Sequence, residues 1–132
     1  PTEIGKKVDY NFEQIKNATG YDHNWCLNTY KNGKGDDKTV CASLYSPKSG
    51  ILLEVFTNEP GIQVYTGNFQ GTGISCKHGI KYPKHVSVCF ESQKYPDSPT
   101  KISQGVKDWT DATLKPGEKY YSHLAYKFSV KK

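Results

Sequence analysis

Gly50-Ile-Leu-Leu-Glu-Val-Phe-Thr-Asn-Glu-Pro-Gly-Ile-Gln-Val-Tyr-Thr66 decides the fold class of this chain. Two runs rich in β-branched, aromatic and aliphatic residues, 50–57 and 62–66, flank Asn58-Glu59-Pro60-Gly61, a composition suited to a tight hairpin turn. In the second run Ile62 and Val64 share one face and Gln63 and Tyr65 the other, the alternation of a strand. Working outward, Thr39–Leu44, Val86–Glu91 and Tyr120–Val130 read the same way. In the last of these, Tyr120, Leu124, Tyr126, Phe128 and Val130 line one apolar face, with His123, Lys127 and Ser129 opposite. Ser46-Pro-Lys-Ser-Gly50 and Lys115-Pro-Gly-Glu118 have the make-up of further hairpin turns. No segment carries helical periodicity. The expectation is an all-β chain of antiparallel hairpins, with a polar hairpin end at 31–38 and a Pro- and Ser-bearing loop at 95–105.

Composition bounds what such a chain can be. It has 132 residues, with 18 basic side chains, every one lysine, against 13 acidic ones. That length allows one compact domain, residues 1–132, burying roughly 65 to 70% of its unfolded surface. Leu, Ile, Val and Phe make up only 26 of the 132 residues, so the ten tyrosines and two tryptophans must supply much of the apolar area. A net charge of +5 raises the question of nucleic acid. The lysines are scattered, only Lys6-Lys7 and Lys131-Lys132 being adjacent, and the arginine that reads bases and phosphates bidentately is missing, so no nucleic-acid role is expected. No apolar run approaches the ~18 residues of a membrane span, and no membrane role is expected either. A start at Pro1 without an initiator methionine suggests an end removed by processing, or part of a longer protein.

Cys26, Cys41, Cys76 and Cys89 include no Cys-x-x-Cys pair, which argues against structural zinc. An even count and the sequon Asn17-Ala18-Thr19 would suit a secreted protein with two disulfides. Cys26, Cys41 and Cys89 lie in apolar strand-like segments, however, where a cysteine acts as a small hydrophobe, and buried free thiols are the preferred reading. A cytoplasmic protein follows, with secretion as the alternative.

Three places put polar residues where a strand pattern prefers apolar ones. Gln63 points away from Ile62 and Val64. Glu91 ends the run Val86-Ser-Val-Cys-Phe-Glu91, opposite Val86, Val88 and Phe90; such a carboxylate is either a solvated strand terminus or a group held for proton transfer. Tyr21-Asp22-His23-Asn24-Trp25 fits a ligand-facing loop before a strand, or an Asx-type turn in which Asp22 accepts backbone hydrogen bonds. Other chemistries have less to stand on. No Gly-x-Ser-x-Gly elbow accompanies Asp22 and His23, the four histidines lack metal-ligand spacing, and Gly71-Thr-Gly73 opens no helix that would cradle phosphate.

At these three places the sequence resembles the aldose 1-epimerases, also called galactose mutarotases. Tyr21-Asp-His-Asn-Trp-Cys-Leu27 is similar to that family's aromatic-Asp-His-Asn-aromatic segment. The stretch Leu53–Phe69 resembles its Thr-x-x-Pro-Gly-x-Gln-x-Tyr-Thr-Gly-Asn run. Tyr82-Pro-Lys-His85 with Val88-Cys-Phe-Glu-Ser-Gln-Lys-Tyr-Pro-Asp97 resembles the strand bearing its catalytic glutamate, and Leu114–Tyr120 its closing hairpin. The likeness runs from Lys6 to Val130 in the family's order.

The resemblance implies the C-terminal portion of a large antiparallel β-sandwich of the galactose mutarotase kind. It implies an enzyme that interconverts the α and β anomers of free hexoses such as galactose and glucose, using neither metal nor other cofactor. Glu91 would be the general base at the C1 hydroxyl, and Asp22 and Gln63 would hydrogen-bond sugar hydroxyls. Trp25 and Tyr65 would face the sugar's C–H surface or serve as plain core aromatics. Relatives are much longer, and their general acid, a histidine, lies upstream with a second histidine and an arginine that bind sugar. His23, His78, His85 and His123 all fall in the later motifs. The expected partners are therefore a hexose and an N-terminal half of the same fold, covalent or separate, without which this chain is expected to be inactive. The alternatives are a non-catalytic carbohydrate-binding β-sandwich and a hexose-6-phosphate epimerase, the latter disfavoured by the missing arginine.

Overall fold

The computed structural model describes residues 2–71, 73 and 75–131. Its strands are β1 (Asp22–Cys26), β2 (Tyr30–Lys31), β3 (Lys34–Gly35), β4 (Ala42–Tyr45), β5 (Ile51–Thr57), β6 (Gly61–Tyr65), β7 (Cys89–Gln93) and β8 (Leu124–Val130). Two short helices, α1 (Glu13–Ala18) and α2 (Ser98–Ser103), and a 3-10 turn at Lys77–Gly79 complete the described elements. The helices correct the helix-free expectation. Each has six residues, fewer than two turns, which is too short to print a periodic stripe, and α2 begins where Pro99 fits the first turn.

The strands form three sheets, in the orders β1-β6-β7, β2-β3 and β4-β5-β8. By compactness the chain divides into two units, residues 1–23 with 63–91 and residues 24–62 with 92–132. The β2-β3 pair is the polar hairpin end expected at 31–38. Asn32 and Gly33 sit at φ 52° and 75°, the left-handed pair that a two-residue hairpin turn needs, and Tyr30 pairs with Gly35.

β5 is the centre of its sheet, antiparallel to β4 and to β8, with Leu44, Leu53 and Phe128 abreast and Val55 opposite both Ala42 and Tyr126. The Ser46–Gly50 turn closes the β4-β5 hairpin as expected, with Ser46 N–H donating to Ile51 O at 3.0 Å. Val55 is 0% exposed, at the closed end of the apolar face. Toward the other end that face opens: Phe128 is 67% and Val130 70% exposed. On the reverse face Lys127 meets its cross-strand partner Glu54 at 3.2 Å.

Three expectations are corrected in this second unit. Asn58–Gly61 turns the chain but closes no hairpin, because β5 and β6 belong to different sheets. Its polar groups are spent on anchoring: the buried Glu59 carboxylate takes Tyr120 Oη at 2.7 Å and Lys94 Nζ at 3.2 Å, and Pro60 O takes Leu27 N–H at 2.9 Å. Burial pushes the Glu59 carboxyl up, but hydrogen bonds from Tyr120, Ser122 and Lys94 outweigh it and leave the group below its ordinary value. The expected strand at 120–130 begins only at Leu124, since Tyr120 serves Glu59, His123 N–H donates to Asn58 Oδ1 at 2.7 Å, and Thr57 Oγ1 donates to His123 O at 2.7 Å. Lys115–Glu118 is a turn, with Gly117 at φ 87°, but joins no pair of strands.

None of the cysteines is buried as expected: Cys26 is exposed, and Cys41, Cys76 and Cys89 are half-buried. The Cys41 thiol donates to Val55 O at 3.2 Å, and burial pushes its pKa up.

Candidate active site

The site begins with a clamp on the residue before β1. Tyr21 N–H donates to Thr66 Oγ1 at 3.1 Å, Thr66 Oγ1 donates to Asn68 Oδ1 at 2.6 Å, and Asn68 Nδ2 donates to Tyr21 O at 2.9 Å. Thr66 and Asn68 are both buried, so this closed ring of polar groups is satisfied internally. Gly20, at φ 151°, passes so close to the Asn68 amide that a Cβ there would collide with it. The clamp fixes where β1 starts and hence where Asp22 stands.

Asp22–Cys26 is a strand, which corrects both the loop and the Asx-turn readings. Asp22 does not accept from a nearby backbone amide in the manner of an Asx turn; its Oδ1 accepts from Gln63 Nε2 on β6 at 2.8 Å. A carboxylate offers about four acceptor positions, so this bond fixes the group while leaving acceptor capacity for further donors. Two of the residues singled out in the sequence are thus in direct contact, although 41 positions apart.

Glu91 is the middle residue of β7, beside β6 in the sheet, and is exposed. It is therefore not a strand terminus, because the strand runs two residues later than its apolar pattern suggested. Its face follows from neighbours two positions away. Gln93 Nε2 donates to Asn24 Oδ1 at 3.3 Å, and a Cβ on Gly61 would strike that same oxygen, so Asn24, Gly61 and Gln93 share a face. Strand alternation then gives that face to Asp22, Gln63 and Glu91. The same alternation turns Trp25, which is exposed and so no core aromatic, to the opposite side from Asp22. Tyr65 keeps the side of Gln63, with its Oη accepting Phe69 N–H at 3.0 Å.

Three of the four imidazoles lie against named partners, one of them Asp22 itself. His85 Nδ1 lies 3.2 Å from Thr66 O, His123 Nδ1 lies 3.1 Å from Asp37 Oδ2, and His23 Nδ1 accepts Asp22 N–H at 2.9 Å. Among the described residues no three His, Cys, Asp or Glu side chains gather as a metal site, and no helix is long and apolar enough to cross a membrane. Reading by strand pattern missed the Thr66-Asn68 clamp and the contact of His23 with the Asp22 amide. The short spacing of Thr66, Gly67 and Asn68 was visible, but its partner Tyr21 lies 45 residues away.

The profile of the aldose 1-epimerase family matches residues 1–127. The chain belongs to that family. It is 40% identical over 131 residues to the galactose mutarotase of Mus musculus, covering 98% of this chain and 34% of that protein. With the galactose mutarotase of Homo sapiens the identity is 38%, over 98% of this chain and 34% of the other. The aldose 1-epimerase of Escherichia coli (strain K12) is 35% identical over 86% of this chain and 30% of that protein. Among solved structures, the crystal structure of a GalM/aldose epimerase homologue from C. elegans matches with TM-score 0.65 at 25% identity, over 85% of this chain and 30% of that one. The chain spans about a third of the length of the curated mammalian relatives it matches. Its mostly β architecture, with antiparallel strands and two short helices, is that of an aldose epimerase fold.

Proposed function

We propose that the protein carrying this chain is an aldose 1-epimerase that interconverts the anomers of free hexoses such as galactose and glucose, and that this chain is the C-terminal portion of its β-sandwich. Glu91 takes the proton from the C1 hydroxyl as the C1–O5 bond breaks, while an acid supplied by an upstream part of the protein, a histidine by family resemblance, delivers a proton to O5. The open aldehyde turns about C1–C2 and recloses with the two proton transfers reversed, so acid and base return to their starting states. Asp22 and Gln63 hold ring hydroxyls and keep C1 in reach of Glu91.

The observation that carries this reading is the Gln63–Asp22 bond at 2.8 Å on the sheet face that alternation also gives to Glu91. An exposed carboxylate beside a fixed polar pair suits a base that must reach a sugar hydroxyl. The reaction needs no group beyond acid, base and hydroxyl-binding side chains.

Polarimetry of freshly dissolved α-galactose tests it. The full-length protein should speed approach to the equilibrium rotation, and Glu91→Gln should lower kcat by about 10³-fold, within the usual range for a general base. A Glu91→Gln enzyme as fast as wild type would remove Glu91 from the role of base. The 132-residue chain alone should give little more than the buffer rate.

A further inference from the structure

Among the described residues β1 has β6 on one side and no strand on the other. Tyr21 N–H and C=O are both taken on the β6 side, by Thr66 and Asn68. Successive strand residues turn their backbone groups to alternate edges, so the Asp22 amide faces away from β6. There it meets His23 Nδ1 at 2.9 Å. A backbone N–H only donates, so Nδ1 is the acceptor and the ring proton sits on Nε2. The ring is steadied by Tyr21, whose ring meets it edge-on with centroids 6.4 Å apart and planes at 82°. Alternation puts His23 and Tyr21 on the face opposite the Asp22 carboxylate.

We propose that His23 is a positioning residue for sugar binding: its Nδ1 caps the Asp22 amide on the edge of β1 turned away from β6 and thereby fixes the backbone from which the carboxylate reaches Gln63 and the substrate. The proposal rests on the hexose-epimerase reading given above. Asp22 is then located from three directions, by the clamp on Tyr21, by Gln63 at its carboxylate and by His23 at its amide. His23 acts through Asp22 and touches no reacting atom. Asp22 holds hydroxyls that do not change in the reaction, so loosening it weakens ground state and transition state alike. That signature is a raised KM with kcat preserved.

Two substitutions in the full-length protein separate the acceptor from the aromatic ring. His23→Leu removes both; His23→Asn loses the ring but sets an amide oxygen in the place of Nδ1. The Leu variant should raise KM for galactose about tenfold with kcat within about twofold, and the Asn variant should stay within about threefold of wild-type KM. Galactose affinity measured by titration calorimetry should follow the same ratios. An unchanged KM in the Leu variant, or an Asn variant as impaired as the Leu one, overturns the proposal. Nitrogen-15 NMR of the wild-type protein decides independently of whether either variant folds: Nδ1 should show the shift of an unprotonated ring nitrogen, and a proton on Nδ1 overturns the cap. Wild-type protein that binds galactose without speeding mutarotation overturns the catalytic reading and leaves His23 to be judged on the affinity ratio. Wild-type protein that binds no hexose overturns both.

Discussion

The β1-β6-β7 sheet and the β4-β5-β8 sheet are held in register by different forces. In the first, polar side chains reach across strands: Gln63 to Asp22, Gln93 to Asn24, and Thr66 and Asn68 to Tyr21. In the second, apolar rows stack abreast of a Val55 that is 0% exposed. A hydrogen bond contributes about 1 kcal/mol net but demands a defined geometry, whereas burial contributes more and tolerates many shapes. The lesson is a division of labour. Polar cross-links position side chains in the first sheet, where Ile62 is also buried, and apolar packing around Val55 weighs more in the second.

Substitutions can break or sharpen that contrast. The largest effect falls on the polar sheet and spares the fold: Glu91→Gln should remove about 10³-fold of kcat while leaving the urea-unfolding midpoint within error, because the carboxylate is exposed. Val55→Ala should do the reverse, costing about 2 kcal/mol in urea unfolding through the lost methyls and the space they leave, with kcat of the folded enzyme unchanged. A Val55→Ala protein that kept its midpoint but lost activity would dissolve the distinction.

Glu59 lies between the two cases, a buried polar anchor just beyond the end of β5. Its folded carboxyl titrates below the ordinary value, so between those two values the unfolded chain binds more protons than the folded one. Stability from this group is complete above the ordinary glutamate range, declines as pH falls through that window, and is gone below the folded value. Glu59→Gln should cost about 1.5 kcal/mol at neutral pH and flatten that part of the acid limb, as read by urea midpoints from pH 7 downward. The smallest effect is expected at Lys127, whose 3.2 Å pair with Glu54 lies at the surface: Lys127→Ala should change stability by less than about 0.5 kcal/mol.

How far the sequence could be read follows the same contrast. β5 and β6 are legible because the one runs apolar and the other alternates, each between turn residues. β1 was not, since Asp22-His23-Asn24 has no strand preference and becomes a strand only through its sheet partners. A turn signature at Asn58–Gly61 reports a change of direction, not which sheet receives the next strand, and so it was mistaken for a hairpin. The start of β8 was placed too early because Tyr120 fits the alternation while its hydroxyl is spent on Glu59. For the site, alternation alone singled out Gln63 and Glu91, and family resemblance supplied their roles. The cap on Asp22 was invisible, because a contact between neighbouring residues depends on a side-chain rotamer that no residue pattern encodes.

The open end of the β5-β8 face carries one more consequence. Ile51, Phe128 and Val130 lie side by side, all exposed, and β8 is an outer strand of its sheet. Made by itself, the 132-residue chain therefore presents a sticky strip beside an outer strand of its sheet. It should light up an apolar fluorescent dye such as ANS, and a chaperone patrolling for unfinished proteins would meet the same strip. Replacing Phe128 and Val130 together with threonine, which retains strand preference, should quench most of that signal.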